Sequence, residues 1–206
     1  MKKMKKLAKS PSRTPDPTGS LVEACVAGDL NAREALARWC LPRVRRTVLF
    51  AHGPGQDTDD LVQMAMAKAF SRISSFRQES SFFVWVDKVT INVVRDHFRK
   101  KKLLLLEAPD MEKALRRDRE PVTLDRQIER QRLFEKLTGH FAKVPSARRL
   151  PLILSMVHGY SVDEISAITD VGYEAVRKRL WRGRKELLHS VSKDPYCVEV
   201  LKELGR

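Results

Sequence analysis

Cysteine is scarce in this chain of 206 residues. The three cysteines, Cys25, Cys40 and Cys197, are widely spaced and form no C-x-x-C pair. An odd count at such spacings argues against a disulfide framework and against a structural zinc site. We therefore expect reduced thiols that behave as small, buried apolar side chains. A reducing compartment fits this pattern and places the protein in the cytoplasm.

Long apolar runs are absent as well. The four leucines at 103–106, for example, fall far short of the ~20 residues that cross a bilayer, and no membrane insertion is expected. The N-terminal stretch MKKMKKLAKSPSRTPDPTGS is basic but contains no apolar segment of the kind found in a secretory signal. Its content of Lys, Ser and Pro predicts a disordered basic arm over residues 1–20.

The motifs of common enzyme classes are also missing. The sequence has no Walker loop, no H-E-x-x-H pair and no cluster of carboxylates suited to a metal ion. Its histidines are scattered, and we interpret His97 and His158 as surface or helix-end residues. These absences predict a protein that is not an enzyme and that uses neither a metal ion nor another cofactor.

Positive charge, by contrast, is abundant. The chain has 40 Lys and Arg residues against 26 Asp and Glu residues, which gives a formal net charge of +14. A protein that acts on small metabolites seldom needs such a charge, whereas nucleic acids and anionic membrane surfaces attract it. We therefore expect the partner to be an anionic macromolecule.

Apolar residues recur at helical spacing along most of the chain, and no segment alternates in the way that is typical of a strand. Val62, Met66 and Ile73, for example, lie on one stripe of a helix. This periodicity fades between 103 and 124, where the charges are mixed and two prolines occur. We predict an all-α fold of two small helical domains joined by a polar linker. The predicted parts are an arm at 1–20, a first domain at 21–102, a linker at 103–124, a second domain at 125–191 and a tail at 192–206.

The second predicted domain contains a helix–turn–helix pattern. Ser161 and Glu164 form an S-x-x-E capping box at the start of a short helix, and D-V-G at 170–172 makes the turn. The next helix begins near Tyr173 and has one apolar stripe and one basic face. That face is either a solvated surface or a recognition helix that reaches base edges and phosphates in the major groove. We favour DNA contact, because the capping box, the turn, the basic helix and the high net charge occur together.

Two blocks of the sequence together resemble a bacterial RNA polymerase sigma factor of the extracytoplasmic-function (ECF) group. The first, DDLVQMAMAKAFSRISSFRQESSFFVWVDKVTINVVRDHFRKK, is similar to sigma region 2. The second, VPSARRLPLILSMVHGYSVDEISAITDVGYEAVRKRLWRGRKEL, is similar to region 4. The resemblance implies a factor without chemistry of its own. Such a factor binds core RNA polymerase through the β′ clamp and the β subunit, directs it to promoter DNA and helps to open that DNA.

The resemblance also implies roles for individual residues. D-L-V-Q at 60–63 matches the family's docking site on the β′ clamp, although Met64 stands where an acid is usual. The residues expected to bind core polymerase are Asp60, Leu61, Gln63 and Met64. The residues expected to bind the −10 promoter element would form a wall and hydrogen-bond partners for a flipped base, or bind phosphates as cations. They are Phe76, Arg77, Gln78, Glu79, Ser80, Phe83, Asn92, Arg95, Arg99 and Lys100. Those expected to bind the −35 element are Tyr173, Glu174, Arg177, Lys178, Trp181, Arg182 and Lys185.

Four positions of the second block depart from the family's pattern, and one of them is Ala175, which replaces a frequent Thr. Ser166 stands where Ala is favoured, and Asp170 stands where Gly commonly takes the left-handed conformation. Asp tolerates that conformation better than most other residues. Pro151 lies in the preceding helix, where it removes a hydrogen bond if the helix starts at Ser146 but is a normal first-turn residue if it starts near Leu150.

Two other interpretations stay open. A stand-alone helix–turn–helix regulator would need only the second block and would leave the D-L-V-Q helix unexplained. A DNA-processing enzyme would need a catalytic motif that the sequence lacks. An anti-sigma factor is a further candidate partner, because the resemblance covers a family in which many members are held inactive by one. In complex with polymerase, the protein would be associated with the nucleoid.

Overall fold

The computed structural model describes residues 19–107 and 125–204. Within these ranges the chain forms nine α-helices and no strand, which confirms the all-α prediction. The helices are α1 (Gly19–Val26), α2 (Leu30–His52), α3 (Gln56–Ser71), α4 (Phe82–Glu107), α5 (Asp125–Lys143), α6 (Ser146–Met156), α7 (Val162–Thr169), α8 (Tyr173–Val191) and α9 (Pro195–Leu204).

The predicted segment boundaries overlap the described residues only in part. Nearly all of the predicted arm and most of the predicted linker lie outside the described residues. α4 continues to Glu107, beyond the predicted end of the first domain, and α1 begins within the last two residues of the predicted arm. None of the described helices is long and apolar enough to cross a bilayer.

Helices α1 to α4 pack around one apolar core. Asp29 caps α2, since its carboxylate accepts hydrogen bonds from the N–H groups of Asn31 at 2.8 Å and Ala32 at 3.2 Å. α2 then continues through Pro42 to His52. The fully buried side chains of this core include Leu36, Val44, Val48, Leu61, Val86, Ile91 and Val94. All three cysteines of the chain are buried thiols rather than disulfides, as predicted.

The helix–turn–helix has the predicted start and turn. Glu164 N–H donates to the Ser161 hydroxyl at 3.3 Å, and Ser161 N–H donates to the Glu164 carboxylate at 2.8 Å, which completes the capping box. Asp170 takes the left-handed conformation with φ 54°. The Ser166 hydroxyl donates to the Val171 carbonyl at 2.6 Å. Asp170 and Ser166, which both depart from the usual motif, are therefore accommodated in this turn by its backbone conformation and by a hydrogen bond.

The helix before the motif begins at Ser146, so Pro151 lies in its interior rather than in its first turn. Because proline has no N–H, the carbonyl of Ala147 lacks its usual helical donor. Pro151 is itself buried, together with its neighbours Leu150 and Leu152. Packing thus holds in place a helix that the local backbone alone would disfavour.

Gly183 lets α8 approach α6 closely, and we expect Gly183→Ala to destabilise the protein. An added Cβ would lie 2.8 Å from Leu152 Cδ1 and 3.3 Å from Arg148 Cβ. Leu152 is fully buried and has little room to move. Overpacking should cost about 1–3 kcal/mol against a gain of about 1 kcal/mol in helix propensity, so the free energy of unfolding should fall by up to about 2 kcal/mol.

Urea unfolding followed by circular dichroism measures this change. Gly139→Ala is the matched control, because Gly139 is also in a helix and an added Cβ there meets no atom within 4 Å. The control should be neutral or stabilising. Equal gains in stability in both variants would show that α6 and α8 are not in close contact at Gly183.

The two helical domains also pack on each other, because α2 contacts α5 and α6 while α4 contacts α6 and α7. At the centre of this interface lies the fully buried carboxylate of Asp87. It accepts hydrogen bonds from Arg43 Nη2 at 2.6 Å and from the Tyr160 hydroxyl at 2.7 Å. Arg43 Nη2 also donates to the Tyr160 oxygen at 2.7 Å. We call Arg43, Asp87 and Tyr160 the interdomain network.

Arg149 forms a second contact between the domains. Its buried guanidinium donates to the carbonyls of Val144 and Ala142 in its own domain and to the carbonyl of Ala51 in the other. It also lies over the ring of Phe98, 5.4 Å from the ring centre. Burial lowers the pKa of Arg149 to about 10, so the group stays charged at neutral pH.

Candidate polymerase and nucleic-acid interfaces

The seven residues predicted to read DNA from α8 are all exposed. Tyr173 and Trp181 are 44% and 65% exposed, which is unusual for large aromatic side chains. The other side of the helix buries Val176, Leu180 and Leu187 against the domain core. The fold therefore presents the predicted basic and aromatic face of α8 outward as one surface.

The charges on this face are only partly paired. Arg177 lies 3.3 Å from Glu174, and the Lys185 ammonium lies 5.7 Å from the centre of the Trp181 ring. Lys178 and Arg182 make no hydrogen bond or ion pair with any residue that the structure describes. Since surface cations without partners are free to take phosphates, this arrangement is suited to binding a polyanion.

The residues predicted to bind core polymerase divide into two groups. Asp60, Gln63 and Met64 are exposed on α3, and Met64 is 56% exposed. Leu61 is only 2% exposed and belongs to the core of the first domain. An exposed methionine beside a carboxylate and an amide is a mixed apolar and polar surface of the kind that proteins use in contacts. In this conformation Leu61 supports that surface from beneath and is not part of it.

The loop between α3 and α4 holds several of the residues predicted for the −10 element. Arg77, Gln78 and Glu79 are exposed and Ser80 is half-buried. Gln78 has φ 54°, and its side-chain amide donates to Glu23 on α1 at 3.2 Å. The polar part of the predicted site therefore lies at the surface, with Gln78 tied to α1.

The aromatic side chains predicted to form the wall of the −10 site are less exposed than the polar side chains beside them. Phe76 is half-buried and packs against Phe82 and Trp85, with ring centres 5.4 and 5.7 Å apart. Phe83 is 4% exposed, and the Arg43 guanidinium lies 5.3 Å from its ring centre. In this conformation Phe83 is a core residue and cannot stack on a base, so Phe76 is the better placed of the two predicted aromatics.

Asn92, Arg95 and Arg99 line one wall of a polar cleft between α3 and α4. The opposite wall carries Lys68 on α3 and Arg72, the residue that caps its C-terminal end, and neither was predicted from the sequence. Their spacing of four residues on the polar side of the helix is the signal that could have identified them. Lys100 is exposed but does not line this cleft.

The second domain occupies part of this region. The Arg95 guanidinium donates to the Thr169 carbonyl at 3.2 Å. The Lys88 ammonium donates to the Ala167 carbonyl at 3.3 Å and to the Asp170 carboxylate at 3.0 Å. Two cations of α4 are thus bound to the C-terminal end of α7, where helix carbonyls and an acid attract them.

Two family models match the chain. One, described as sigma-70 region 2, matches residues 36–103, and the other, described as sigma-70 region 4, matches residues 141–187. The first match contains the α3 surface and the cleft, and the second contains α7 and most of α8.

The chain is also similar to curated ECF sigma factors. The ECF RNA polymerase sigma-E factor of Escherichia coli strain K12 is 28% identical over 181 residues, covering 83% of this chain and 92% of the relative. The ECF sigma factor SigE of Mycolicibacterium smegmatis is 27% identical over 183 residues, covering 86% of this chain and 69% of the relative.

Two solved structures share the fold. The sigma factor RpoE of Bartonella quintana, crystallised with the anti-sigma factor NepR, has a TM-score of 0.64 at 19% identity, over 78% of this chain and 97% of that chain. CnrH, in complex with the cytosolic domain of CnrY, has a TM-score of 0.60 at 20% identity, over 85% of this chain and 97% of that chain.

Proposed function

Since this chain belongs to the sigma-70 family as an ECF sigma factor, which directs transcription initiation, we propose that its two helical domains bind different partners. The first domain, α1 to α4, binds core RNA polymerase and the −10 element. The second domain, α5 to α9, binds the −35 element through α8. The protein then works in the cytoplasm, at the nucleoid when polymerase is bound, and has no chemistry of its own.

The exposed face of α8 is the observation that carries this proposal. It combines Lys178 and Arg182, both without partners among the described residues, with the 65% exposed Trp181. Arginine and lysine can bind base edges or phosphates in the major groove, and a large aromatic side chain can contact a thymine methyl group. No role within the fold of the second domain requires these three side chains to be exposed together.

Core polymerase binds, in this proposal, at Asp60, Gln63 and Met64. These residues form an exposed surface on α3, and Met64 supplies an apolar contact where the family usually has an acid. The two interfaces lie on different domains. Polymerase binding can therefore tether the second domain near DNA and raise its effective concentration there.

The −10 element binds along the loop before α4 and the polar cleft. The arginines and lysine of the cleft take phosphates, while Asn92 and the exposed loop side chains meet the bases. Arg95 is bonded to α7 in this conformation. Full contact with DNA therefore requires the second domain to move away from α4.

An anti-sigma factor is a further proposed partner. RpoE of Bartonella quintana, which shares the fold of this chain, binds the anti-sigma factor NepR. A protein that holds the two domains together would keep Arg95 and Lys88 bound to α7. It would thereby block the cleft without touching α8.

Two paired sets of variants test the division of labour. Lys178→Ala with Arg182→Ala should lower promoter-specific transcription at least about tenfold, because each lost base or phosphate contact costs about 1–3 kcal/mol, and should leave core binding unchanged. Asp60→Ala with Gln63→Ala should weaken core binding and leave the affinity of the isolated protein for DNA unchanged. Run-off transcription and pull-down of sigma-free core polymerase measure the two properties.

Lys193→Ala is the matched control, since Lys193 is an exposed cation beyond the end of α8. It should change neither property. Equal loss of core binding in both variant sets would contradict the division of labour. Tight binding of the free protein to duplex DNA, without any binding to core polymerase, would favour the stand-alone regulator instead.

A further inference from the structure

Two histidines and an aspartate from three different helices meet inside the first domain. His52 is the last residue of α2, Asp57 lies in the first turn of α3, and His97 lies on α4. One donor atom from each of the three lies within 4.8 Å of the others. His52 Nε2 and a carboxylate oxygen of Asp57 are 3.7 Å apart, and the two imidazole centres are 5.1 Å apart.

The ring nitrogen Nε2 of His97 has no hydrogen-bond partner. It is the one side-chain nitrogen or oxygen among the described residues that is both buried and without such a partner. Buried polar atoms without partners are rare in native proteins, and each one calls for an explanation. A ligand that accepts the lone pair of this nitrogen would provide one.

The surroundings of His52 set its orientation. The Thr58 hydroxyl donates to the Gly53 carbonyl at 2.5 Å, so its oxygen is left to accept from His52 Nδ1–H, 3.4 Å away. In that tautomer Nε2 carries a lone pair and faces the carboxylate of Asp57. Two electron-pair donors then face each other without a proton between them, which is unfavourable unless a cation joins them. Hydrogen bonds that orient a ligating imidazole in this way are typical of metal sites.

We propose that His52, Asp57 and His97 bind a divalent transition-metal ion of the zinc class. Two imidazole nitrogens and one carboxylate oxygen form a donor set that Zn²⁺ and Co²⁺ accept, whereas Mg²⁺ and Ca²⁺ prefer oxygen alone. Tetrahedral bonds of about 2 Å need donor atoms about 3.3 Å apart. The three donors, now within 4.8 Å, reach that spacing by small side-chain rotations. Water or an outside ligand completes the coordination.

The other cluster of this kind in the described residues does not favour a metal ion. His140, Asp194 and Cys197 also lie close together. Both nitrogens of His140 already have partners, Ser190 at 2.8 Å and Asp194 at 3.3 Å. The Lys136 ammonium lies 3.0 Å from the same carboxylate and already supplies the positive charge. A metal ion is therefore not needed to balance the charge of this second cluster.

The position of the site gives the ion a structural consequence. It would join α2, α3 and α4, the helices that build the core of the first domain. His52 stacks on Phe98, with ring centres 6.3 Å apart, and the Arg149 guanidinium of the second domain lies over the same Phe98 ring. Metal binding would therefore stabilise the first domain at the point where the second domain rests on it.

The test uses the full-length protein without an affinity tag, treated with a chelator and then desalted. Titration with Co²⁺ should give a saturable absorption band with one ion per chain, and Zn²⁺ should displace it. The thermal midpoint should rise with either ion. His97→Ala and Asp57→Asn should each weaken Co²⁺ binding at least about tenfold, the loss that removing even an outer-shell partner of a ligand produces.

Two variants keep the test decisive. Asp57 is 41% exposed, so Asp57→Asn should remain folded even if His97→Ala does not. His189→Ala is the control, because His189 is exposed on α8 and far from the site in sequence, and it should bind Co²⁺ like the wild type. Absence of saturable binding in the wild type, or binding by a folded Asp57→Asn variant that equals wild-type binding, would overturn the proposal.

Discussion

Replacing Asp87 by alanine should lower the free energy of unfolding by about 3–5 kcal/mol, the cost of breaking a buried ion pair on one side. The Asp87 side chain is 0% exposed and that of Arg43 is 16% exposed. Arg43 contributes three hydrogen bonds of 2.6 to 3.0 Å to this carboxylate. Burial lowers the pKa of Arg43, but the charge and hydrogen bonds of Asp87 outweigh burial and raise it above its ordinary value. Without Asp87, a charged guanidinium stays in the interior with no counter-charge.

The stability lost in Asp87→Ala should come partly from contacts within the first domain and partly from contacts between the two domains. Arg43 and Asp87 both belong to the first domain, and Tyr160 belongs to the second. Tyr160→Phe removes only the hydroxyl between them, so its cost should be about 1.5–3 kcal/mol, as for other hydrogen bonds to charged groups. Urea unfolding measured by circular dichroism and by tryptophan fluorescence gives both values.

Asp96→Ala is the matched control on the same helix. Asp96 pairs with Lys68 and Arg99 at the surface and is 44% exposed. Surface pairs of this kind contribute about 0–1 kcal/mol. A loss at Asp87 no larger than the loss at Asp96 would show that solvent reaches the interdomain network and that the ion pair is not buried.

The features that the sequence predicted well are local ones. The capping box of Ser161 and Glu164 depends on residues three positions apart, and it formed as expected. The exposed face of α8 follows from helical periodicity alone, because its apolar stripe is continuous. The left-handed Asp170 could be anticipated from the intrinsic tolerance of its side chain.

The features that the sequence did not predict depend on residues far apart in the chain. Arg43, Asp87 and Tyr160 are separated by 44 and 73 positions, and no local pattern connects them. Phe83 follows the buried Phe82, so periodicity gave no means of assigning one to the core and the other to a DNA site. Phe83 is buried by the tertiary packing of the hydrophobic core, where the Arg43 guanidinium also lies over its ring.

Histidine shows the same limit most clearly. A single histidine has no signature in sequence that separates an exposed position from a buried one, and His158 was expected at a surface or a helix end. It does lie at a helix end, two residues after α6, but it is half-buried between the domains, where its Nε2 lies 2.7 Å from Thr47 Oγ1 on α2. The Thr47 hydroxyl itself donates to the Arg43 carbonyl, so its oxygen accepts from His158 Nε2–H. Nε2 therefore carries the hydrogen of the neutral ring, and burial disfavours a second proton on Nδ1.

Mild acid should therefore loosen the contact between the domains. Burial lowers the pKa of His158 to about 4, and the charges of Arg43 and Arg46 act in the same direction, while Asp87 opposes them. The unfolded chain titrates near the ordinary value of 6.5. Between these two values the unfolded state binds more protons than the folded state, so the free energy of unfolding falls as the pH falls.

The expected loss from His158 alone is about 2 kcal/mol between pH 7 and pH 5 and about 3 kcal/mol by pH 4, since one pKa unit corresponds to about 1.4 kcal/mol. Urea unfolding at each pH measures it, and His158→Gln is the comparison because glutamine keeps an N–H donor for Thr47 but does not titrate. His52, whose pKa burial also lowers to about 4, contributes equally to both proteins and cancels. The variant should thus lose less stability in acid than the wild type. Parallel curves for the two proteins would mean that His158 is solvated, and the domains would then already be apart at neutral pH.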